Sequence, residues 1–497
     1  MNGTKLNAIA LYVNFGVLAL LGLFINPLLV QSLGAADFGT WKSLLRLLDL
    51  SGVADGRATQ ALKWIVAHRS RDNDEFELRR AITASIIMWL FWLPVLLLAI
   101  SAVIYFLPSL INGLAADHLS VARWTALILG SNIILSAMVG IPDAVLIGTN
   151  QGYRSTVITT VFVVLSSAAM LVMAQAGYNL PTLALITLMT GMLNGLCTWL
   201  VARRRIAWWG LAKPARSDIV RFAGFSNWTS VWGLVQLLLI SSELLLISFL
   251  SGPIAVTKYT FTSYAVQFAL SICLMTGSAV TPRLGGLIGA RDLKLAGSLV
   301  NQTREILLAI MTVSGAGILL LNRTFVSTWV GPEQYMGDHI NALMVIAFLQ
   351  LAHIRFEAQV QDVGLDISRK VLVGLASACL SLLLAGLCYY AFGSLESLYA
   401  GLIIGRLPAS FVLPQLVAKL VPISPYNRRG IIGLGITAIG AILIAPFFNQ
   451  HGWLAFSLTS ALILIVLSGL SLACIVSPET RSVICKRWLP VRGEIAR

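Results

Sequence analysis

The stretch LGAADFGTWKSLLRLLDLSGVADGRATQALKWIVAH, residues 33–68, decides the fold of this chain. Its length and apolar content are those of a helix that crosses a bilayer of roughly 30 Å. It nevertheless carries charged side chains in its interior, namely Lys42, Arg46, Asp49, Asp55 and Arg57. Because each charge at the centre of a bilayer costs about 2.5–3.5 kcal/mol, these side chains should face water or one another.

Three of these charged residues, Lys42, Arg46 and Asp49, share one face of the predicted helix, whereas Asp55 lies off that face. At a rotation of about 100° per residue, that face contains Lys42, Arg46, Asp49, Val53, Gly56 and Gln60. The opposite side, toward lipid or neighbouring helices, contains Leu44, Leu47 and Leu48. The pattern therefore predicts a membrane helix that lines a water-filled, cation-rich cavity.

The composition is that of a polytopic membrane protein. Of the 497 residues, 57% are hydrophobic and 11% are charged, and the mean hydropathy is +0.84, which excludes soluble globular classes. The net charge of +14 is spread over short loops, which leave no room for a nucleic-acid-binding domain. The six cysteines and five histidines show no ligand spacing, so we expect neither disulfides nor a metal site.

Fourteen apolar segments follow one another along the chain, separated by short loops. Their approximate boundaries are 7–33, 38–66, 81–111, 120–147, 153–176, 180–202, 219–250, 255–281, 302–321, 339–361, 370–392, 396–417, 429–448 and 452–476. We therefore predict an all-α polytopic protein with about 14 transmembrane helices.

The basic residues indicate the orientation of these segments. Of the 35 lysines and arginines, 27 fall on one predicted side of the membrane, three fall on the other, and five lie within apolar segments. Lysine and arginine are enriched in cytoplasmic loops. The distribution predicts that both the N-terminus and the C-terminus lie in the cytoplasm.

A basic connector divides the fourteen segments into six and eight. Six crossings return the chain to its starting side, so a second block of six would form a parallel repeat of the first. The sequence LVQSLGAADFGTWKSLL also resembles ISFLSGPIAVTKYTFTS, with Gly34 opposite Gly252 and Trp41 opposite Tyr259. The predicted parts are a six-helix lobe at 1–202, the connector at 203–218, a second six-helix lobe at 219–417, two additional helices at 418–476 and a basic cytoplasmic tail at 477–497.

The deciding stretch resembles the start of a known transporter family. The pattern LG-x-x-x-FG-x-W, followed by a helix that contains Asp-Leu, is similar to that of the oligosaccharide and polysaccharide flippases of the MOP exporter superfamily. Here the pattern consists of Leu33, Gly34, Phe38, Gly39, Trp41, Asp49 and Leu50. Similar features of the second half are Glu243, the run LLLISFLSG, Pro253, Tyr259, Pro282 and Arg283.

This resemblance implies the fold and the activity of such a flippase. Two six-helix lobes would surround a cavity that opens alternately to either side and is lined by the first, second, seventh and eighth helices. The substrate would be a polyprenyl-diphosphate-linked oligosaccharide, the repeat unit of a surface polysaccharide such as lipopolysaccharide. It would move from the inner to the outer leaflet of the bacterial inner membrane, with its lipid tail in a groove formed by the last two helices. Association with the polysaccharide polymerase or the chain-length machinery is implied as well.

The cations of the second segment are the first candidates for substrate binding. Lys42, Arg46 and Arg57 could hold a diphosphate or an acidic sugar, because guanidinium and ammonium groups bind phosphate oxygens. Alternatively, Arg46 and Asp49, three residues apart, form an ion pair that only neutralises itself. Lys42 is left over after that pairing, which favours the substrate-binding interpretation.

Three further residues of the cavity are expected in the second half. Lys258 adds a cation, and Tyr259 offers a ring that can stack on a sugar, although tyrosine is common at membrane interfaces for other reasons. Arg406 lies in the middle of a segment. It could reach the lipid diphosphate or instead bond to carbonyl groups that Pro408 leaves free.

Glu243 and Asp55 are the candidates for ion coupling. Glu243 stands alone in a long apolar run, so it could bind the proton or sodium ion of a gradient, or pair with Lys258 or Arg46. Asp55 would pair with Arg57 only where the helix is irregular. No cofactor is expected; a proton or sodium gradient would drive transport.

Two other functions share part of this pattern. A cation-coupled multidrug exporter of the same superfamily often carries a carboxylate in its first helix, whereas residues 7–33 contain no charged residue. A membrane polysaccharide polymerase or glycosyltransferase needs a larger outer loop than the one at about 322–338. We therefore predict a transporter of a lipid-linked substrate, not an enzyme.

Overall fold

The computed structural model describes residues 3–69, 74–114, 116–363, 367–445 and 452–482. Within these ranges all regular secondary structure is helical, which confirms the all-α prediction. Most of the predicted basic tail, residues 483–497, lies outside the described residues.

The first of two compact units comprises Met1–Thr257. Its helices are α1 (Gly3–Leu33), α2 (Ala35–Gly52), α3 (Ala58–Arg69), α4 (Glu75–Leu110), α5 (Ala116–Gly148), α6 (Gly152–Gln175), α7 (Leu180–Arg205) and the greater part of α8 (Arg216–Thr262). Buried apolar residues of α3, α4, α5 and α7, among them Leu62, Ile82, Val145 and Ala202, form a core cluster. These residues lie far apart in sequence, so long-range packing of membrane helices builds this unit.

The second compact unit comprises Lys258–Arg497. Its helices after the end of α8 are α9 (Tyr264–Gly289), α10 (Leu293–Val330), α11 (Asp338–Val363), α12 (Ile367–Phe392), α13 (Leu395–Gly405), α14 (Leu407–Leu420), α15 (Arg428–Ile444) and α16 (Trp453–Cys474). The predicted additional pair, α15 and α16, packs on α10 through Ala316, Leu320, Ala441, Ile463 and Leu467.

Twelve helical stretches of the described residues are long and apolar enough to cross a membrane. The two other predicted crossings correspond to the charged second segment, which contains α2 and α3, and to the shorter apolar helix Gly430–Ile444. The chain is therefore a multi-pass membrane protein. Its orientation and the boundaries of its predicted lobes stay predictions.

The second predicted segment is interrupted, although its sequence predicts one continuous helix. A 3₁₀ turn at Val53–Asp55 follows α2, and Gly56 and Arg57 then adopt φ angles of 70° and 45° before α3 begins. A β-carbon on Gly56 would lie 2.2 Å from Cδ1 of Trp92, so a larger residue does not fit. The predicted polar face therefore ends soon after Asp49.

Two glycines that the repeat aligns share one backbone conformation. Gly34 precedes α2, Gly252 interrupts α8, and both have a φ of 79°, which favours glycine. The aligned aromatic residues Trp41 and Tyr259 are both buried, with 3% and 4% of their surface exposed. The same backbone conformation therefore favours glycine at both aligned positions, while the repeat of the lobes stays a prediction.

The start of α2 packs closely against α8. A β-carbon on Gly39 would lie 1.9 Å from the carbonyl oxygen of Pro253, and the buried hydroxyl groups of Ser43 and Ser248 share a hydrogen bond of 2.9 Å. The glycine of the FG-x-W motif is thus required by a contact between two backbones.

We expect Gly39→Ala to destabilise the protein, because one backbone must move to admit the methyl group. Overpacking of this kind costs about 1–3 kcal/mol. Gly16→Ala in α1 is the matched control, since a β-carbon there meets nothing within 4 Å and alanine favours a helix by about 1 kcal/mol. The apparent Tm of the purified protein in detergent measures both effects. An unchanged Tm for Gly39→Ala would contradict the close packing.

Candidate functional site

Lys42 is held on α2 by two uncharged neighbours. Its Nζ donates a hydrogen bond of 3.1 Å to Oδ1 of Asn26 in α1 and lies 5.1 Å from the centre of the Phe38 ring. No carboxylate of a described residue forms an ion pair with this half-buried cation. Asn26 was not identified from the sequence, because an uncharged amide in an apolar helix gives no signal there. The arrangement orients the Lys42 charge without neutralising it.

Arg46, one turn further along α2, pairs with Asp49. Nη1 of Arg46 lies 3.5 Å from Oδ2 of Asp49, and the two side chains are 41% and 51% exposed. A pair this exposed contributes about 0–1 kcal/mol. The structure therefore contains the pair that the sequence offered as the alternative, and substrate binding by Arg46 stays a prediction.

Arg57 and Asp55 form the irregular turn between α2 and α3. The backbone N–H of Arg57 donates a hydrogen bond of 2.7 Å to Oδ1 of Asp55. The guanidinium group of Arg57 lies against α8, where a β-carbon on Gly233 would be 2.3 Å from Nε. Contact between Asp55 and Arg57 was expected only for an irregular helix, and the helix is irregular here. The turn places the Arg57 charge beside α8.

Glu243 lies further along α8 and is buried, with 7% of its surface exposed. The preceding Ser241 and Ser242 are 2% and 0% exposed, so three consecutive polar residues are buried in a largely apolar helix. Ionisable residues inside membrane helices are costly and commonly mark ion or substrate pathways. The role of Glu243 in ion coupling stays a prediction, as does that of Asp55.

The remaining predicted site residues belong to the second unit. Lys258 is half-buried and Tyr259 is buried, both in the last turns of α8. Arg406 is fully buried at the break between α13 and α14, and its carbonyl oxygen accepts hydrogen bonds of 3.1 and 3.0 Å from N and Oγ of Ser410. Substrate binding by these residues also stays a prediction.

A buried ion pair that was not predicted from the sequence joins α10 to α11. Arg304 donates from Nε and Nη2 to the two carboxylate oxygens of Glu357 at 2.8 and 2.6 Å, and from Nη1 to the carbonyl oxygen of Ser424 at 2.8 Å. The two charged side chains are 6% and 0% exposed. In the sequence Arg304 cannot be told apart from the basic residues of the nearby loop. The pair fastens α10 to α11 and to the segment that precedes α15.

An apolar groove lies in the second unit between α9, α10 and α16. Its volume is about 660 Å³, and its almost wholly apolar lining includes Phe268, Ile310, Leu321, Phe456 and Leu464. A cavity with so few polar partners favours hydrocarbon over water. One wall, α16, belongs to the predicted additional pair of helices.

Neither a protein-family model nor a curated protein matches the sequence. Solved structures, in contrast, match the fold. The lipid II flippase MurJ in an inward closed conformation has a TM-score of 0.65 at 13% sequence identity, over 97% of this chain and 99% of that chain.

Transporters of the MOP superfamily match as well. A multidrug resistance MATE family transporter in an inward-facing conformation has a TM-score of 0.61 at 15% identity, over 84% of this chain and 96% of that chain. A MOP superfamily transporter from Pyrococcus furiosus, described by a reverse polarity of its binding pocket, has a TM-score of 0.59 at 15% identity, over 84% and 97%. The chain therefore has the fold of MOP superfamily transporters, which confirms the fold that the sequence resemblance implied.

Proposed function

We propose that this protein is a flippase for a polyprenyl-diphosphate-linked oligosaccharide, the repeat unit of a surface polysaccharide. It moves this lipid from the inner to the outer leaflet of the bacterial inner membrane by alternating access. The apolar groove between α9, α10 and α16 carries the proposal. Such a groove accepts a long hydrocarbon chain, whereas it offers almost no polar partner to a charged drug.

The cations of α2 support a diphosphate headgroup as the other half of the substrate. Lys42 has no carboxylate partner among the described residues, and Arg46 has only the exposed Asp49. Charge-assisted hydrogen bonds from such groups to phosphate oxygens are about twice as strong as neutral ones. The headgroup would pass along these cations while the polyprenyl tail stays in apolar surroundings.

The same charges disfavour export of cationic drugs. A cationic drug would be repelled by Lys42 and Arg57, and residues 7–33 offer it no carboxylate. Both observations support a lipid-linked substrate over a drug.

The test is the lipid extract of cells that lack this protein, analysed by mass spectrometry. We expect complete polyprenyl-diphosphate oligosaccharide units to accumulate while surface polysaccharide is lost. Normal lipids with increased sensitivity to cationic dyes would replace the proposal with a drug exporter. Single units displayed on the outer leaflet would indicate a polymerase instead.

A variant that narrows the groove tests the same proposal in the folded protein. In Gly317→Leu the added β-carbon would lie 3.7 Å from Leu464, an ordinary contact, and the rest of the side chain would enter the groove. We expect export to fall by about tenfold, which corresponds to about 1.4 kcal/mol. Gly469→Leu in α16 is the control, because nothing lies within 4 Å of a β-carbon there. Equal export rates for the two variants would show that the groove does not bind the lipid tail of the substrate.

We further propose that Glu243 couples export to a proton or sodium gradient. Glu243→Gln keeps the shape of the side chain and removes its charge, so export should no longer depend on the gradient. Glu333→Gln in the segment between α10 and α11 is the control and should keep the dependence. Transport into vesicles with an imposed gradient measures both. An unchanged dependence in Glu243→Gln would exclude Glu243 as the coupling residue.

A further inference from the structure

The connector between α7 and α8 is fixed to α4. Nε of Arg79 donates a hydrogen bond of 2.9 Å to the carbonyl oxygen of Trp208, and the backbone N–H of Ala212 donates one of 3.2 Å to Oγ1 of Thr83. Trp208 and Trp209 also pack against the core cluster of the first unit. The backbone of the connector therefore has a defined course along α4.

Five cations project from this fixed backbone and its two flanking helices. We call them the connector patch: Arg203, Arg204, Arg205, Lys213 and Arg216. All five are exposed, and none forms an ion pair with a described residue. The acid closest in sequence, Asp218, accepts a hydrogen bond of 3.0 Å from the backbone N–H of Ala215 and lies 3.8 Å from Arg80. The patch thus keeps its full positive charge.

Several cations elsewhere in the chain are buried or paired with an acid, unlike those of the connector patch. Arg304 is locked to Glu357, Lys370 is hydrogen-bonded to Asp362, and Arg323 pairs with an acid at the start of α11. These cations serve contacts within the protein. The cations of the connector patch remain available for an anion outside it.

The position of the patch indicates what that anion is. The apolar helix α7 is a candidate membrane span that ends at Arg205, so three of the cations occupy its last turn. The guanidinium group of Arg203 lies 5.3 Å from the centre of the Trp199 ring, and Leu211 is 66% exposed. Tryptophan, exposed leucine and arginine together suit the boundary between lipid headgroups and hydrocarbon.

We propose that the connector patch binds the headgroups of anionic phospholipids in the leaflet on its own side of the membrane. A surface next to acidic lipid attracts each lysine or arginine by about 1 kcal/mol, which is about fivefold in affinity per cation. Hydrogen bonds to α4 fix the backbone of the connector before a lipid binds. Binding therefore costs little conformational entropy of that backbone. The site is independent of the transported substrate.

Native mass spectrometry of the full chain in detergent, titrated with phosphatidylglycerol or phosphatidylcholine, tests this site. The variant Arg203→Gln, Arg204→Gln, Arg205→Gln should lose about 100-fold in affinity for phosphatidylglycerol and keep its affinity for phosphatidylcholine. The corresponding triple lysine variant should retain binding of phosphatidylglycerol, since it keeps the charge. Arg323→Gln, which removes a cation that is already paired with Asp338, is the control and should bind as the unchanged protein does.

A second variant guards against loss of folding in the first. Lys213→Gln with Arg216→Gln lies outside α7 and should lose about 25-fold in affinity. Wild-type affinity for phosphatidylglycerol in both glutamine variants would overturn the proposal. It would also be overturned if inorganic phosphate competed at the same concentration as the lipid, because the site would then serve a soluble anion.

Discussion

Replacing Lys42 and Arg46 together by glutamine is expected to lower export by about 10²- to 10⁴-fold. Each side chain supplies a hydrogen bond from a charged group to the diphosphate, worth about 1.5–3 kcal/mol, so the pair contributes about 3–6 kcal/mol. Glutamine at position 42 can still bond to Asn26, which should preserve the packing between α1 and α2. Arg46→Ala alone, which removes one of these bonds, is expected to lower export by about 10- to 100-fold while membrane insertion continues.

The measurement is the rate at which vesicles containing the purified protein move lipid-linked oligosaccharide between leaflets. Lys63→Gln, on α3 beyond the irregular turn, is the matched control and should transport normally. The transport rate of Arg46→Lys should lie between those of the control and the double variant. Lysine keeps the charge but cannot form the two parallel hydrogen bonds of a guanidinium group. A wild-type rate in the double variant would show that the cation site of α2 does not bind substrate.

Removing Glu357 is expected to destabilise the second unit by about 3–5 kcal/mol. Glu357→Ala leaves the Arg304 charge in a buried position with only a carbonyl oxygen as its partner, and an uncompensated buried charge is costly. The fraction of folded protein recovered from membranes, and its apparent Tm in detergent, should both fall. The double variant Arg304→Met, Glu357→Leu should recover part of the loss, because no buried charge then remains.

The chain contains a matched control for this experiment. Arg323 and Asp338 also join α10 to α11, at 3.2 Å, but their side chains are 54% and 59% exposed. Asp338→Ala should therefore cost at most about 1 kcal/mol. Similar losses of stability for Glu357→Ala and Asp338→Ala would mean that burial does not explain the contribution of the Arg304–Glu357 pair.

Local features of the sequence determined the helical class and the order of the helices. Apolar runs of sufficient length were enough to predict the spans, because a bilayer requires every backbone group to be satisfied within its own helix. The cost of charge in lipid also singled out Lys42 and Arg46 by residue type and position alone. The aligned glycines Gly34 and Gly252 were paired by the similarity of two sequence stretches, and both adopt a positive φ, which favours glycine.

Contacts between residues distant in sequence decided the rest. The second segment breaks where Gly56 meets Trp92, and Lys42 is oriented by Asn26, a residue without charge. The partner of Arg304 is 53 residues away. The apolar groove forms where three helices meet. It could not be predicted from the sequence, because a leucine that faces lipid and a leucine that lines the groove look the same there. The periodicity of a sequence predicts a helix and its apolar face from residues close together in the chain. These other features depend on which surface of another helix that face contacts, and tertiary packing decides the contact.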